Sequence, residues 1–489
     1  MFQPFASAFL AFGLRLRHQM SAEKTIQRIL PAAVAAVGIA ALAAWIATAS
    51  GVASLSERVP GADGGSGKDA SGDTGAWKGR LIASNGIPAR LDGVWGQFRG
   101  PNRNGMSAET TPLARTWPEA GPKVVWKINV GEGYAGAAIW KGRVLLLDYD
   151  QENRADALRS LSLADGNEIW RYTYPAKLKR NHGLSRTIPT ISDALSISLG
   201  PKCNVVCVDP ANGEFKWQIN MVKEFGTEVP QWYAGQCPFV DDGKLILGAG
   251  GPDALIVAVD ASTGHVLWKS PNPNKWGMTH SSIAAMDFKG RREYLYCGSG
   301  GVTAVSAEDG AILWDYPGWK ISIANIPTPL ILPGDRVFLC GGYDAGAQML
   351  QVKEEGGKQS VTQLFRLPAK VFGATQHTPI LYKDHLFGVR PDGQLVCLDF
   401  DGKIVWESGV SRKFGNGPFM IAQDMIFVMD DNGLLTLAEA STQKFTQLAQ
   451  AKVLDGVESW APMALADGFL VLRDMTQMVC LDVRAGSKP

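Results

Sequence analysis

No charge of either sign dominates this chain: 48 lysines and arginines stand against 47 aspartates and glutamates across 489 residues, a net charge of +1. That balance gives no electrostatic footprint for nucleic acid and no acidic tail. Histidine is scarce, at six, and the seven cysteines are all isolated: Cys203, Cys207, Cys237, Cys297, Cys340, Cys397 and Cys480. No Cys-x-x-Cys-His motif occurs, because Cys203 and Cys207 are separated by three residues and no histidine follows. EF-hand loops and clustered His/Cys zinc spacings are missing too. An electron-transfer chain carried by the protein itself is therefore not expected.

Long apolar runs are also lacking, with one exception. From Ile29 to Val52 the sequence is uncharged and alanine-rich, preceded by Arg15, Arg17, Lys24 and Arg28. A run of more than about 20 apolar residues is long enough to span a bilayer, and its basic flank belongs on the cytoplasmic side. We expect a short cytoplasmic segment over 1–28, a transmembrane anchor over 29–52, a flexible linker over 53–94 that includes the Gly/Ser/Asp-rich PGADGGSGKDASGDTG, and an exported domain over 95–489. A cleaved signal peptide is the alternative, with small residues at Ala47 and Ala49 or Val52 and Ser54; the anchor is preferred because the run exceeds most signal h-regions. Met20 is an alternative start. The setting implied is a bacterial cell envelope, with the domain in the periplasm or beyond.

What is plentiful is repetition. The phrases SLADGNEIW, VDPANGEFKW, VDASTGHVLW, VSAEDGAILW and LDFDGKIVW recur at intervals of about 40 to 50 residues. Their tryptophans are Trp170, Trp217, Trp268, Trp314 and Trp406. All five share a Gly-x-x-x-Trp interval, and two degenerate units end near Phe365 and Gln447. Upstream of each phrase lie apolar strands joined by turns such as DDGKLILG and ADGFLVL, giving four short antiparallel strands per unit. A lone four-stranded sheet cannot bury both faces; stacking such sheets radially solves this, which predicts an all-β propeller. The roles assigned are structural: glycine for the positive φ of the turn, aspartate to accept backbone N–H groups, tryptophan to pack between sheets.

The seventh complete unit ends near 447, and an eighth begins at Trp460 but supplies only three strands before MVCLDV. Its missing strand is KVVWKINV, around Trp126. The expectation is an eight-bladed β-propeller of four-stranded antiparallel blades, closed by that N-terminal strand. Cys207, Cys397 and Cys480 share one repeat position, and equivalent positions in stacked sheets lie about 10 Å apart, beyond the ~7 Å limit for a disulfide. Buried, reduced thiols are expected.

The phrases VVCVDPANGEFKW, IVAVDASTGHVLW and LVCLDFDGKIVW resemble the tryptophan-docking repeat of the pyrroloquinoline quinone (PQQ)-like propellers, over essentially residues 95 to 486. That superfamily includes quinoprotein alcohol dehydrogenases, which bind PQQ and calcium, and BamB, a non-catalytic outer-membrane assembly component. The vicinal cysteine pair of the quinoprotein enzymes is missing here, as is the lipid-anchoring cysteine that follows BamB's signal sequence. WGQFRGPNRNG, Trp95 to Gly105, resembles a stretch that precedes the first blade in many such proteins; Trp95, Phe98 and Arg99 are expected to cap the ring, with a channel role for Arg99 as the alternative.

In a propeller the segments entering the innermost strands line one channel mouth. Counting into each unit places Thr187, Gln236, His280, Pro327, His377, Asn416 and Trp460 there, with Tyr134, His182, Arg186, Trp232, Tyr233, Trp276, Asn325, Gln376 and Glu458 nearby. From these the candidate ligand-binding residues are His182, Arg186, Trp232, Gln236, Trp276, His280, Asn325, His377, Asn416 and Trp460. A polar ring that only holds buried water is the structural alternative. The preferred reading is a non-enzymatic, monomeric binding or scaffold module for a protein or small ligand, with no cofactor and no metal. The alternative is a PQQ- and calcium-dependent dehydrogenase of an alcohol or sugar. In that case Glu458, Glu228 or Glu132 would serve as calcium ligand or base, and Trp232, Trp276 or Trp460 would stack on the quinone.

Overall fold

The computed structural model describes residues 35–45, 79–180 and 182–487. Residues 35–45 are helical, inside the apolar run at 29–52, whose remainder lies outside the described residues, as does 1–28. No helix among the described residues is long and apolar enough to cross a membrane.

The second unit of the chain is an all-β propeller of eight antiparallel sheets. Blade 1 is built from Ala138–Trp140, Arg143–Asp150, Ala155–Ser162 and Glu168–Pro175, and blades 2 to 7 follow in sequence order, each a four-stranded meander. Blade 8 joins Ala464–Ala466, Phe469–Arg473 and Gln477–Asp482 to Lys123–Asn129, with Trp126 opposite Cys480. The ring is thus closed by a strand from the N-terminal side of the domain. Two short strands extend blade 1: Val94–Trp95 on its inner edge and Arg80–Ala83 on its outer edge, paired with Trp170–Thr173. Of the stretch read as linker, 53–94, the described part thus supplies Arg80–Ala83 and Val94, while Trp95 belongs to the domain as read.

The repeat explains how blades grip one another. Each turn glycine has positive φ, from 72° at Gly166 to 79° at Gly213, which its lack of Cβ permits. A second reason lies across the blade boundary. A Cβ on Gly166 would meet the Trp126 ring at 2.9 Å, one on Gly213 would meet Trp170 at 2.7 Å, and one on Gly264 would meet Trp217 at 2.8 Å. Each tryptophan thus lies flat on the turn of the next blade, and any side chain there would lift it off. The indole N–H groups of Trp126, Trp217 and Trp406 then donate to the carbonyls of Leu163, Ala261 and Ser441 at 2.9, 3.0 and 2.8 Å. The repeat aspartate plays its expected part: Asp260 Oδ1 accepts from Ser262 N at 3.0 Å and Thr263 N at 2.8 Å.

The degenerate fifth unit is a substitution rather than a loss. Its third and fourth strands, Gly346–Glu355 and Lys358–Leu367, are ten residues each. Trp314 of blade 4 shares one core cluster with Val352 of that long hairpin, against which Val361 also packs, while Phe365 rests on Gly402 of blade 6 in the tryptophan's place. All seven cysteines are buried and free, and burial raises the thiols, to about 12 for Cys207 and Cys397.

Candidate functional site

A cavity of about 460 Å³ lies on the propeller axis, and the connections into all eight innermost strands contribute to its wall. Seven of the ten candidate residues line it: His182, Arg186, Trp232, His280, His377, Asn416 and Trp460. Tyr134, from the connection between blades 8 and 1, stacks on Trp460 with ring centroids 5.2 Å apart and carries Arg186 5.5 Å above its ring. Tyr134 also donates to Glu458 Oε2 at 2.5 Å; burial first, then that bond, raises its phenol well above the usual range. Trp460 Nε1 donates to Asp431 Oδ1 at 2.7 Å, which also accepts from Asn416 N at 2.8 Å. On the opposite side the rings of Trp232 and His280 are 6.4 Å apart. A Cβ on Gly235 would strike His280 at 2.6 Å, so this glycine lets the two loops approach.

Both axial histidines are held neutral. Burial, helped by Arg186, lowers His280 to about 3, and burial lowers His377 against opposing hydrogen bonds with the backbone of Asn416 and Gly417. Nε2 of His280 and both ring nitrogens of His377 lack a hydrogen-bonding partner of good geometry, although both residues are buried. Buried polar atoms left in this state are exceptions that call for an explanation.

The other three candidates point elsewhere. Gln236 is fully buried and clips its own blade, donating to Gly248 O at 2.6 Å and accepting from Gly248 N at 2.9 Å. Thr187 does the same through Leu199 O at 2.6 Å. Trp276 is packed over Gly298 and Gly300, and with Asn325 it lines a second cavity, of about 570 Å³, which meets the first at His280.

The floor comes from WGQFRGPNRNG. Trp95 pairs with Ile139 of blade 1, and Met106 bridges to Ile421 of blade 7, so the segment crosses the channel. Arg99 donates from Nε to Arg103 O at 3.0 Å, from Nη1 to Thr378 O at 2.6 Å and from Nη2 to Pro379 O at 2.9 Å. Arg103 reaches Pro238 O and Ile283 O at 3.3 and 3.4 Å and lies 4.5 Å from the Phe239 ring centroid. Trp95, Phe98 and Arg99 all line the cavity, so capping and a channel role coincide. Burial, then the neighbouring Arg103, lowers Arg99 to about 9; burial lowers Arg103 and Arg186 to about 10. All three remain cations at neutral pH.

Five non-glycine residues around the site have left-handed backbone: Arg99, Arg103, His182, Tyr233 and Glu458, with φ of 65°, 53°, 46°, 67° and 58°. Such conformations cost of order 1–3 kcal/mol each and gather where the surroundings enforce them. Sequence reasoning missed Tyr343, Thr375 and Phe419, which also line the cavity. Phe419 follows Pro418 in the same register as Asn416 and was within reach of the loop count; Tyr343 sits inside a blade-5 hairpin, and no pattern marks it.

None of the carboxylates proposed for a calcium or base role lines the cavity. Glu458 holds Tyr134, Glu132 pairs with Arg180 at 2.7 Å, and Glu228 is exposed; neither aspartate nor glutamate lines the wall. Calcium takes six to eight oxygens, drawn largely from carboxylates, and no group of three or more acidic, His or Cys side chains able to hold a metal occurs among the described residues. The donor set here does not fit a calcium-bound quinone.

A family model described as the outer membrane protein assembly factor BamB matches the chain over residues 106–229, 154–399 and 346–488. No curated protein sequence matches the chain significantly. Among solved structures, BamB from Moraxella catarrhalis is similar at a TM-score of 0.51 and 14% identity, over 74% of this chain and 99% of that one. A quinohemoprotein alcohol dehydrogenase from Pseudomonas putida HK5 gives a TM-score of 0.45 at 11% identity, covering 83% of this chain and 84% of its own. A europium-containing methanol dehydrogenase gives 0.44 at 10%, covering 78% and 89%. At such identities the likeness is one of fold.

Proposed function

The chain belongs to the family of the outer membrane protein assembly factor BamB, and from that membership we propose that it is a binding propeller whose ligand or partner engages the mouth of the axial channel, rather than a dehydrogenase. One observation carries this reading: the cavity wall is aromatic and cationic, with no carboxylate to hold a metal or remove a proton. The apolar run at 29–52 with its basic flank supports an extracytoplasmic, membrane-tethered placement. A ring that closes on its own strand needs no second copy to complete it, which supports a monomer.

Two measurements test the proposal. A photo-cross-linking residue placed at Trp232, on the mouth, is expected to trap a discrete adduct in cells, and one at Phe215, on an outer strand, to trap none; the reverse result would move the docking face to the rim. The purified protein given PQQ and Ca²⁺ is expected to reduce no dye with alcohols. Stoichiometric binding with turnover would overturn the non-enzymatic reading.

A further inference from the structure

The geometry points to a carboxylate-bearing organic ligand with an apolar body, held in the axial cavity with its charge between Arg99 and Arg186. This inference rests on the channel-mouth binding proposed above and specifies the chemistry that the channel recognises.

Four observations support it. First, the charges are one-sided: Arg99 and Arg186 line a cavity to which no aspartate or glutamate contributes. Arg103 adds a third guanidinium beneath, close enough to lower Arg99. Removing a cation from water costs several kcal/mol unless an opposite charge offsets it. The three nitrogens of Arg99 donate only to backbone carbonyls, which satisfy N–H groups and leave the charge uncompensated. A guanidinium has five N–H groups, so two on Arg99 remain beyond those three bonds.

Second, the carboxylates behind the wall are already engaged. Asp431 accepts from Trp460 and Asn416, and Glu458 accepts from Tyr134, so both carboxylates are bonded to wall residues and neither lines the cavity itself. Third, His280 and His377, both held uncharged, line the cavity beside the cations, so neither adds a charge that would compete with the guanidiniums. Fourth, the rest of the lining is rich in rings, among them Trp232, Trp460 and Phe419, which favour an apolar body over a small hydrated anion.

The segment from Trp95 to Met106 crosses the channel and puts Arg99 at its floor. A blind pocket takes the end of a molecule and not the middle of a chain. The carboxylate therefore arrives either on a free organic acid or at the C-terminus of a peptide, and the chemistry at the floor is the same for both.

The test titrates the full-length protein with naphthalene-2-carboxylate, its neutral alcohol analogue, and a pentapeptide ending in phenylalanine with either a free or an amidated terminus, read by tryptophan fluorescence and calorimetry. The acid is expected to bind at least about tenfold more tightly than the alcohol, and added salt to weaken the acid alone. Arg186→Met is expected to lower affinity for the acid about tenfold and leave the alcohol unchanged, with partial recovery in Arg186→Lys; melting curves of both variants establish that they are folded. Binding of the free-terminus peptide but not its amide identifies a chain terminus as the source, and binding of naphthalene-2-carboxylate alone identifies a free acid. Equal binding of acid and alcohol, or an Arg186→Met protein that holds the acid as well as the parent, overturns the charge inference while leaving channel-mouth binding in place. If none of the four probes binds, this inference falls, and the broader proposal is then decided by the adduct at position 232.

Discussion

The boundary between two blades and the axis where eight meet are both interior, yet they are built on opposite terms. At the boundary one contact is repeated: a tryptophan laid on the glycine of the next turn, with apolar strands on either side. On the axis no contact is repeated; histidine, asparagine and tryptophan occupy the same loop position in different connections. Repetition is what packing needs, because each boundary solves the same problem. A recognition surface needs its members to differ.

The largest effects should therefore fall at the boundaries. Trp126→Ala removes a buried ring and its bond to Leu163, which for an aromatic core residue costs about 3–5 kcal/mol. It also loosens the strand that closes the ring, so urea denaturation should show a larger loss than for Trp217→Ala, the same contact within a continuous stretch of chain. Equal losses would mean that closure adds nothing. Gly264→Ala should follow, at about 2–4 kcal/mol, because the new methyl faces both a φ of 78° and the Trp217 ring. If it proved neutral, the turn glycine would be a matter of backbone alone and the tryptophan free to shift.

Acid separates the two interiors in sign. Asp156, buried next to the Tyr174 hydroxyl in blade 1, has burial push its carboxyl up to about 7. Its folded value lies above the unfolded one, so the native state binds the extra proton, and stability falls as pH rises from about 4 to 7, by up to about 1.4 kcal/mol per unit. Asp156→Asn should flatten that slope and raise stability at pH 8 by about 1–3 kcal/mol. His280 on the axis works the other way. Its folded value of about 3 lies below the ordinary imidazole value, so the unfolded chain binds the extra proton and stability falls as pH drops from about 6.5 towards 3. His280→Gln should reduce that acid sensitivity, leaving the part that His377 contributes with the same sign, measured as chemical denaturation midpoints across the range; an unchanged slope would place the sensitivity in another group. The smallest effect is expected for Trp232→Ala, at under about 1 kcal/mol, because the ring is only half-buried at the mouth and its role is to meet a ligand. A loss matching Trp217→Ala would make the axis a structural ring after all.

The same contrast governs what the sequence discloses. The blade number and the pairing of Trp126 with the last blade are legible because turn chemistry and tryptophan spacing recur in register. That each glycine supports the tryptophan of the preceding blade is not, since glycine at a turn already has a sufficient local reason in its φ. Loop counting reached His377, Asn416 and Trp460 because it fixes where a residue lies along the axis. It failed for Gln236 because the direction of a side chain depends on whether its own blade offers a partner, and Gly248 does. Arg99 was visible in WGQFRGPNRNG as a cap, but the carbonyls of Thr378 and Pro379 that hold it come from about 280 residues away, beyond any local pattern.

The closing strand also sets a timetable. Lys123–Asn129 is made about 350 residues before Gln477–Asp482, so at ordinary synthesis rates its hydrogen-bonding edge waits roughly 20 to 70 seconds for its partner. Through that interval seven sheets can form in order, while the first strand stays open to any other strand that meets it. A nascent chain in this state is one that a chaperone would hold, and misassembly should be most frequent when chain elongation stalls beyond residue 452.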